Sequence, residues 1–69
     1  MNQCEQILAY IQEHGSITPM EALNHCACMR LSARIHDLRA LGHDIRMEVV
    51  TVKNRYGQKV RVSRYSLNE

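Results

Sequence analysis

The sequence contains no tryptophan, no phenylalanine and only three tyrosines among its 69 residues. Its core must therefore be assembled from aliphatic side chains. A chain this short buries only about 60% of its unfolded surface, so that core must also be compact. Ligand pockets of ~300 Å³ or more are hard to form in so small a core. We expect one domain over residues 1–69 and no catalytic cleft.

Long apolar runs are also lacking. No stretch approaches the roughly 18 apolar residues that indicate a membrane span, and the N-terminus has neither the basic start nor the apolar middle of a signal peptide. Three cysteines are an odd number, without the spacing of a disulfide framework. We therefore expect a cytoplasmic protein with reduced thiols and no membrane partner.

Positive charge is missing from the first 29 residues, which carry three glutamates and a net charge of −3. All nine lysines and arginines lie between Arg30 and Arg64, and residues 30–69 have a net charge of +5. Clustered cations gain free energy when they release the counterions condensed on phosphate. Nucleic acid is therefore the first partner to consider.

Capping residues predict where the first two helices begin. Asn2 precedes a helix over about residues 3–14, and Gly15 supplies its left-handed stop. Thr18 and Glu21 have the spacing of a capping box, with proline at the first helical position, so a second and shorter helix starts there. We expect its inward face to hold Met20, Leu23 and Ala27.

A third helix is predicted from about residue 29 to 41. Leu31, Ile35 and Leu38 recur at helical spacing, and Gly42 follows as the cap. Its outward face would carry Arg30, Ala33, His36, Asp37 and Ala40, with Ser32 and Arg34 on the flanks. Arg39 lies nearer the core and would cover apolar surface with its stem.

The remainder predicts a β-hairpin, with strands over residues 44–52 and 59–67 and a turn over residues 54–58. The register that places Ile45 opposite Leu67 also places Glu48 opposite Arg64. One face would then pack on the core, with Ile45, Met47, Val49, Tyr65 and Leu67. The other face carries four valines without obvious cover: Val50, Val52, Val60 and Val62.

The order of these elements resembles a winged helix-turn-helix domain. The segments that carry the resemblance are Ile17–Leu23, Arg30–Gly42 and the ending Arg64–Leu67. They are similar to those of small helix-turn-helix proteins of bacteriophages and prophages. The resemblance implies an α+β fold in which three helices precede a hairpin wing and the third helix reads DNA.

We expect DNA contacts from the third helix and from the wing tip. Arginine can bond guanine or phosphate, serine can donate to either, and a small side chain lets the helix sit deep in the major groove. The candidates are Arg30, Ser32, Ala33, Arg34 and Asp37 on the helix, and Lys53, Asn54, Arg55, Tyr56 and Lys59 at the tip. Two alternatives stay open: Asp37 pairs with Arg34 on a solvated face, and the charged tip only keeps the hairpin soluble. Ser16 and Thr18 could bond phosphate at the second helix, although capping alone explains Thr18.

The cysteines and histidines invite a zinc interpretation. His25, Cys26 and Cys28 lie close in sequence, with Cys4, His14 and His36 as possible further ligands. Cys-x-Cys is not the Cys-x2-Cys spacing of a zinc knuckle, and we expect buried thiols in a tight turn with no metal and no cofactor. A nucleophilic pair of Cys28 with His25 or His36 lacks any group to orient a base, so we expect no enzyme.

The sequence thus favours selective binding of double-stranded DNA, by a phage-type transcriptional regulator or a recombination accessory factor. One such module makes few contacts, so a homodimer or cooperative binding is expected. The alternative is a protein-interaction module, for example a phage inhibitor of a host protein. It is supported by the exposed valines and by the acidic surface of the first helix.

Overall fold

The computed structural model describes residues 2–68 as three helices followed by a two-stranded antiparallel hairpin. The elements are α1 (Gln3–His14), α2 (Pro19–Cys26), α3 (Leu31–Ala40), β1 (Ile45–Lys53) and β2 (Lys59–Leu67). The expected order is confirmed, and the bounds agree with the sequence prediction to within two residues. Among the helices of residues 2–68, none has the length and hydrophobicity needed to cross a membrane.

The predicted helix caps are present. The Asn2 side-chain oxygen accepts a hydrogen bond from the Glu5 backbone N–H at 2.8 Å, and Gly15 ends α1 with a φ of 91°. Thr18 and Glu21 form the reciprocal capping box of α2. Each bond satisfies a backbone group that the helix itself leaves without a partner. Local chemistry therefore fixes three of the helix ends.

Gly42 ends α3 in the way its position predicts. Its φ is 102°, its N–H donates to the Arg39 carbonyl at 3.0 Å, and the His43 N–H donates to the Leu38 carbonyl at 3.2 Å. These two bonds are the Schellman pattern, in which a left-handed residue satisfies the last carbonyls of a helix. The chain is thereby turned from α3 into β1.

The core lies between the three helices and the base of the hairpin. Its buried residues are Ile7, Ile11, Ile17, Ala22, Cys26, Cys28, Leu31, Ile35, Leu38 and Ile45. Ile17 also pairs with Tyr65 through two backbone hydrogen bonds of 2.8 and 2.9 Å, and so adds a short third partner to the edge of β2. The connection between α1 and α2 is therefore tied directly to the hairpin.

The predicted inward face of α2 was wrong. Met20 is 62% exposed and Leu23 is 46% exposed, and Ala27 is exposed as well. The buried residues of α2 are instead Ala22 and Cys26, one helical turn apart. Small side chains at these positions let the helix pack closely on its neighbours, and the larger apolar residues are left on its outer side.

The hairpin register agrees with the prediction at every pair. Ile45 lies opposite Leu67, Glu48 opposite Arg64, and Lys53 opposite Lys59. The Arg64 Nε donates to Glu48 Oε1 at 2.8 Å, which confirms the expected cross-strand ion pair. Because a shift of one residue would move every side chain to the other face, the register decides which residues the two faces carry.

The core covers only the base of the hairpin. Ile45 is 4% exposed, whereas Met47 is 51% exposed and Val49 is 58% exposed, so their predicted place in the core was wrong. Three short helices do not extend far enough to cover a nine-residue strand, which spans roughly 30 Å at about 3.3 Å per residue. The outer part of the hairpin therefore projects as a wing, and the long dimension of the molecule is 37 Å.

Candidate nucleic-acid interface

The turn between α2 and α3 determines where α3 begins. Ala27 has a φ of 51°, a left-handed conformation that costs an alanine about 1–2 kcal/mol. The Cys28 N–H donates to the Ala22 carbonyl at 3.1 Å, and the Cys28 side chain is buried. The turn is therefore anchored in the core, while the next residues, Met29 and Arg30, lie exposed at the start of α3.

Arg30 occupies the N-cap of α3 without capping it through its side chain. Its backbone carbonyl accepts the first helical bonds, from the N–H groups of Ala33 at 3.1 Å and Arg34 at 3.3 Å. The guanidinium is exposed beside the positive end of the helix dipole. An anionic or guanine acceptor at this end of α3 would meet the guanidinium and the backbone N–H groups together.

The other helix candidates lie within the first two turns of α3. Ser32 is exposed, whereas Ala33, Arg34 and Asp37 are half-buried. Arg34 Nη2 lies 3.2 Å from Asp37 Oδ2, so the ion pair that the sequence left open as an alternative is present. A partly exposed pair of this kind is worth at most about 1 kcal/mol. A phosphate could therefore replace the Asp37 carboxylate at small cost.

An open cavity of about 390 Å³ lies beside the start of α3 and is lined by Gln3, Ala27, Met29, Arg30 and Arg34. The Gln3 side-chain amide donates to the Ala27 carbonyl at 3.1 Å and closes one side. Arg34 Nε is buried and has no hydrogen-bond partner within the described part of the chain. Since Nε is enclosed by the protein, an external acceptor would reach Arg34 only through the exposed part of its side chain.

Asn54 organises the wing tip. Its side-chain oxygen accepts from the backbone N–H groups of Tyr56 at 2.9 Å and Gln58 at 3.0 Å. The Gly57 N–H donates to the Asn54 carbonyl at 3.0 Å, and Gly57 has a φ of 77°. This is a tight turn followed by a left-handed glycine, a common hairpin loop. Asn54 therefore fixes the conformation of the loop that contains Arg55 and Tyr56.

The remaining candidates at the tip are exposed: Lys53, Arg55, Tyr56 and Lys59. Lys53 and Lys59 lie directly opposite each other across the two strands. Like charges in that arrangement destabilise a hairpin, whereas a nearby anion would stabilise it. Tyr56 is 79% exposed, so its hydroxyl is available to an external acceptor. The tip thus presents three cations and a phenol around an ordered loop.

The start of α2 is less suited to phosphate. The Thr18 hydroxyl accepts from the Glu21 N–H at 3.3 Å, and Glu21 Oε1 accepts from the Thr18 N–H at 2.9 Å. Glu21 Oε2 accepts a further bond from the Tyr10 hydroxyl at 3.0 Å. A carboxylate already occupies this helix end, and a second anion would be repelled by it. Capping accounts for Thr18, and Ser16 is half-buried.

These bonds alter the titration of both partners. Partial burial acts to raise the pKa of Glu21, but the bonds from Thr18 and Tyr10 favour its charged form and lower the pKa overall. Burial and the bond to Glu21 raise the pKa of Tyr10. The contact joins α1 to α2 with Glu21 ionised and Tyr10 protonated near neutral pH.

The cysteines are placed for packing. Cys26 and Cys28 are buried and Cys4 is half-buried, all three as free thiols. Burial raises the pKa of the Cys26 thiol, and the neighbouring Cys28 adds to the effect, so the unreactive protonated form predominates at neutral pH. Among residues 2–68, no three His, Cys, Asp or Glu side chains are grouped closely enough to hold a metal ion.

The four valines lie together on one face of the hairpin, as the register predicts. Val50 is opposite Val62, and Val52 is opposite Val60. Val50, Val60 and Val62 are half-buried, and Val52 is 40% exposed. The partly buried apolar residues packed on the core are others: Cys4, Leu8, Tyr10, Tyr65 and Leu67. This valine face is therefore separate from the core.

Sequence reasoning overlooked two surface residues. Met29 is 87% exposed immediately before Arg30 and lines the cavity at the start of α3. Arg61 is exposed in β2, opposite Thr51. The position of Arg61 could have been found from the predicted register, because that register already placed it on the same hairpin face as Lys53 and Lys59. No pattern in the sequence indicated that Met29 would be exposed.

Comparison with known proteins gives one family. A family model described as a winged helix-turn-helix domain matches residues 2–69, which is nearly the whole chain. No curated protein and no solved structure matches. In the structure, the third helix and the projecting hairpin occupy the positions of the recognition helix and the wing in such a domain.

Proposed function

The chain belongs to the winged helix-turn-helix domain family, and from this premise we propose that it binds double-stranded DNA through α3 and the wing tip. The observation that carries the proposal is the tip itself, where Lys53 and Lys59 face each other and Arg55 lies in the loop between them. An arrangement that repels itself in the free protein gains from a polyanion.

We assign base reading to the start of α3. Arg30 is exposed at its first turn and can form a bidentate bond to guanine, and Ser32 can donate to a base or a phosphate. Ala33 is small enough to contact a thymine methyl group. Arg34, with a side chain that is 37% exposed, can bond an external acceptor through its terminal nitrogens, and Asp37 either keeps its bond to Arg34 or accepts from a cytosine amino group.

We assign backbone contacts to the wing. Lys53, Arg55 and Lys59 would follow phosphates or enter a minor groove, where arginine is favoured by the negative potential. Asn54 would hold the loop, and the Tyr56 hydroxyl would donate to a phosphate oxygen. In biological terms, the proposed role is that of a small phage-type regulator of transcription or an accessory factor in recombination.

The test is a selection of bound fragments from random and genomic DNA, followed by titrations of the selected duplex over a range of salt. Each phosphate neutralised contributes about 0.9 to the slope of log affinity against log salt. We expect an enriched sequence and a steep slope. An empty selection together with no binding to any duplex at low salt would overturn the proposal.

The valine face supports a second candidate, association with a second copy of the chain. Val50, Val52, Val60 and Val62 lie opposite the face that carries Lys53 and Lys59, so a copy docked there would not compete with DNA. Four valines, three of them half-buried, offer much less than the ~800 Å² per partner of a stable interface. We therefore expect association on DNA, as cooperative binding, and little dimer in free solution.

A double substitution tests this candidate. Val50→Lys with Val62→Glu replaces one cross-strand apolar pair by an ion pair, which should keep the hairpin folded. We expect cooperative DNA binding in the parent and independent binding in the variant, with unchanged far-UV circular dichroism. Salt-insensitive binding of an unrelated protein to the parent would instead favour the protein-interaction alternative, such as an inhibitor of a host protein.

A further inference from the structure

The register gives the two faces of the hairpin different chemistry. One face carries Met47, Val49, Thr51 and Lys53 from β1, and Lys59, Arg61, Ser63 and Tyr65 from β2. The other face carries Arg46, Glu48, Val50, Val52, Val60, Val62 and Arg64. The faces differ most near the tip, where cations stand on one side and valines on the other.

Three cations on the first face form what we call the basic strip: Lys53, Lys59 and Arg61. Lys53 lies directly opposite Lys59. Arg61 follows Lys59 by two residues on β2 and lies about 7 Å from it on the same face. All three are exposed, and none takes part in an ion pair of the described residues. The strip therefore concentrates positive charge that the fold leaves uncompensated.

The acidic residue of the hairpin does not offset this charge. Glu48 lies on the valine face and is bonded to Arg64 across the strands. Every other position of the first face, from Ile45 and Leu67 to the tip, is apolar, hydroxylated or basic. Directly opposed like charges weaken a hairpin, so the arrangement indicates that the compensating negative charge is external.

The strip also lies on the face that continues from the core. Ile45 is buried among the helices at the base of this face, and Arg39 of α3 donates to the Ile45 carbonyl at 3.1 and 2.8 Å. The basic strip therefore lies on the hairpin face that is joined to the helices, whereas the valines lie on the opposite face.

We propose that Arg61 binds DNA phosphate together with Lys53 and Lys59, so that the duplex runs along the basic strip and leaves the valine face free. This inference rests on the proposed function. It adds Arg61 to the contacts and states the direction in which the duplex runs along the hairpin. Arg61 extends the wing contact from the loop back along β2 toward the core, over roughly two residues of strand.

Two matched pairs of variants test the strip. Arg61→Ala and Arg46→Ala each remove one exposed positive charge from the hairpin, but from opposite faces. Thr51→Lys and Val52→Lys each add one charge, at adjacent positions that point to opposite faces. Binding of a labelled random-sequence duplex is followed by fluorescence anisotropy over a range of salt, after circular dichroism has established that each variant retains the parent spectrum.

We expect Arg61→Ala to weaken binding several-fold and to lower the salt slope by about 0.9, the amount for one lost phosphate contact. Arg46→Ala should keep the parent slope. Thr51→Lys should steepen the slope, and Val52→Lys should not. Arg61→Lys, which keeps the positive charge, should keep the parent slope. These differences cannot arise from net charge alone, because the members of each pair carry the same charge.

Two outcomes are distinguishable. If the parent binds no duplex at low salt, the proposed function fails and the strip fails with it. If the parent binds DNA but both members of each pair change the slope equally, only the assignment to this face is overturned. In that case the wing contributes diffuse charge rather than a defined line of contacts.

Discussion

Arg34 and Arg39 of α3 each have a partner within the fold, whereas Lys53, Lys59 and Arg61 of the hairpin have no side-chain partner among the described residues. Arg34 pairs with Asp37, and Arg39 bonds the Ile45 carbonyl. Both regions are basic in sequence, but the helix uses most of its charge to hold its own position. The cations near the hairpin tip remain available to an external anion.

The same two regions differ in how they are supported. α3 buries Leu31, Ile35 and Leu38, whereas β1 buries Ile45 alone among its nine residues. A rigid helix suits base reading, which requires precise donor positions, and a projecting ribbon suits phosphates, which tolerate small displacements. We therefore expect selectivity to depend mainly on α3 and salt-dependent affinity mainly on the wing.

The largest expected effect concerns the difference in burial between α3 and the wing. Leu38 is 2% exposed and Val49 is 58% exposed. Leu38→Ala should lower the free energy of unfolding by about 2–5 kcal/mol, because it removes buried methyl groups and leaves a cavity. Val49→Ala should change it by less than about 0.5 kcal/mol. Urea denaturation followed by circular dichroism measures both, and similar losses would show that the wing is packed as firmly as α3.

The next effect separates base reading from phosphate binding. Arg30→Ala should cost about 1–3 kcal/mol on a selected site and should reduce the preference for that site over random DNA. Lys53→Ala should weaken binding to both DNAs by the same factor and reduce the salt slope. Competition titrations with selected and random duplexes provide the comparison. An Arg30 variant with parental selectivity would remove the start of α3 from the interface.

A smaller effect concerns two turns that both contain a residue with positive φ, an alanine in one and a glycine in the other. Ala27 and Gly57 both have positive φ, of 51° and 77°. Ala27→Gly should raise the free energy of unfolding by about 1 kcal/mol, because glycine adopts this conformation without strain, and Gly57→Ala should lower it by a similar amount. Thermal unfolding of the two variants should shift in opposite directions. Shifts of the same sign would contradict the assigned backbone conformations.

The smallest effect is the acid dependence of the contact between α1 and α2. The pKa of Glu21 is lower in the folded protein than its ordinary value. The contribution of ionised Glu21 to the free energy of unfolding is therefore complete when the pH is above the ordinary pKa. It is lost as the pH falls through the lower pKa of the folded state. Glu21→Gln should flatten the stability profile in this acidic range, and Tyr10→Phe, which removes one of the bonds that lower the pKa of Glu21, should flatten it in part. A Glu21→Gln profile equal to that of the parent would exclude Glu21 as the source.

Much of the fold could be predicted from local patterns. The caps at Asn2, Thr18 and Gly42 depend on side-chain and backbone chemistry within a few residues, and the structure confirms them. The hairpin register depends on matching apolar and charged partners across two strands, and Glu48 with Arg64 confirms it. For the candidate site, the same patterns indicated which residues share a helix face or a loop.

What the sequence determined by itself was the order of the elements, most of their ends, the pairing of the strands and the division of charge between the two halves. The ends and the strand pairing follow from interactions over a helical turn, a tight turn or one cross-strand pair, and the charge division is a property of composition. Only the tertiary structure decided that Met20, Leu23, Met47 and Val49 are exposed and that Arg39 is bonded to β1. The reason is that burial depends on how far three short helices extend over a longer hairpin, and no local spacing contains that information.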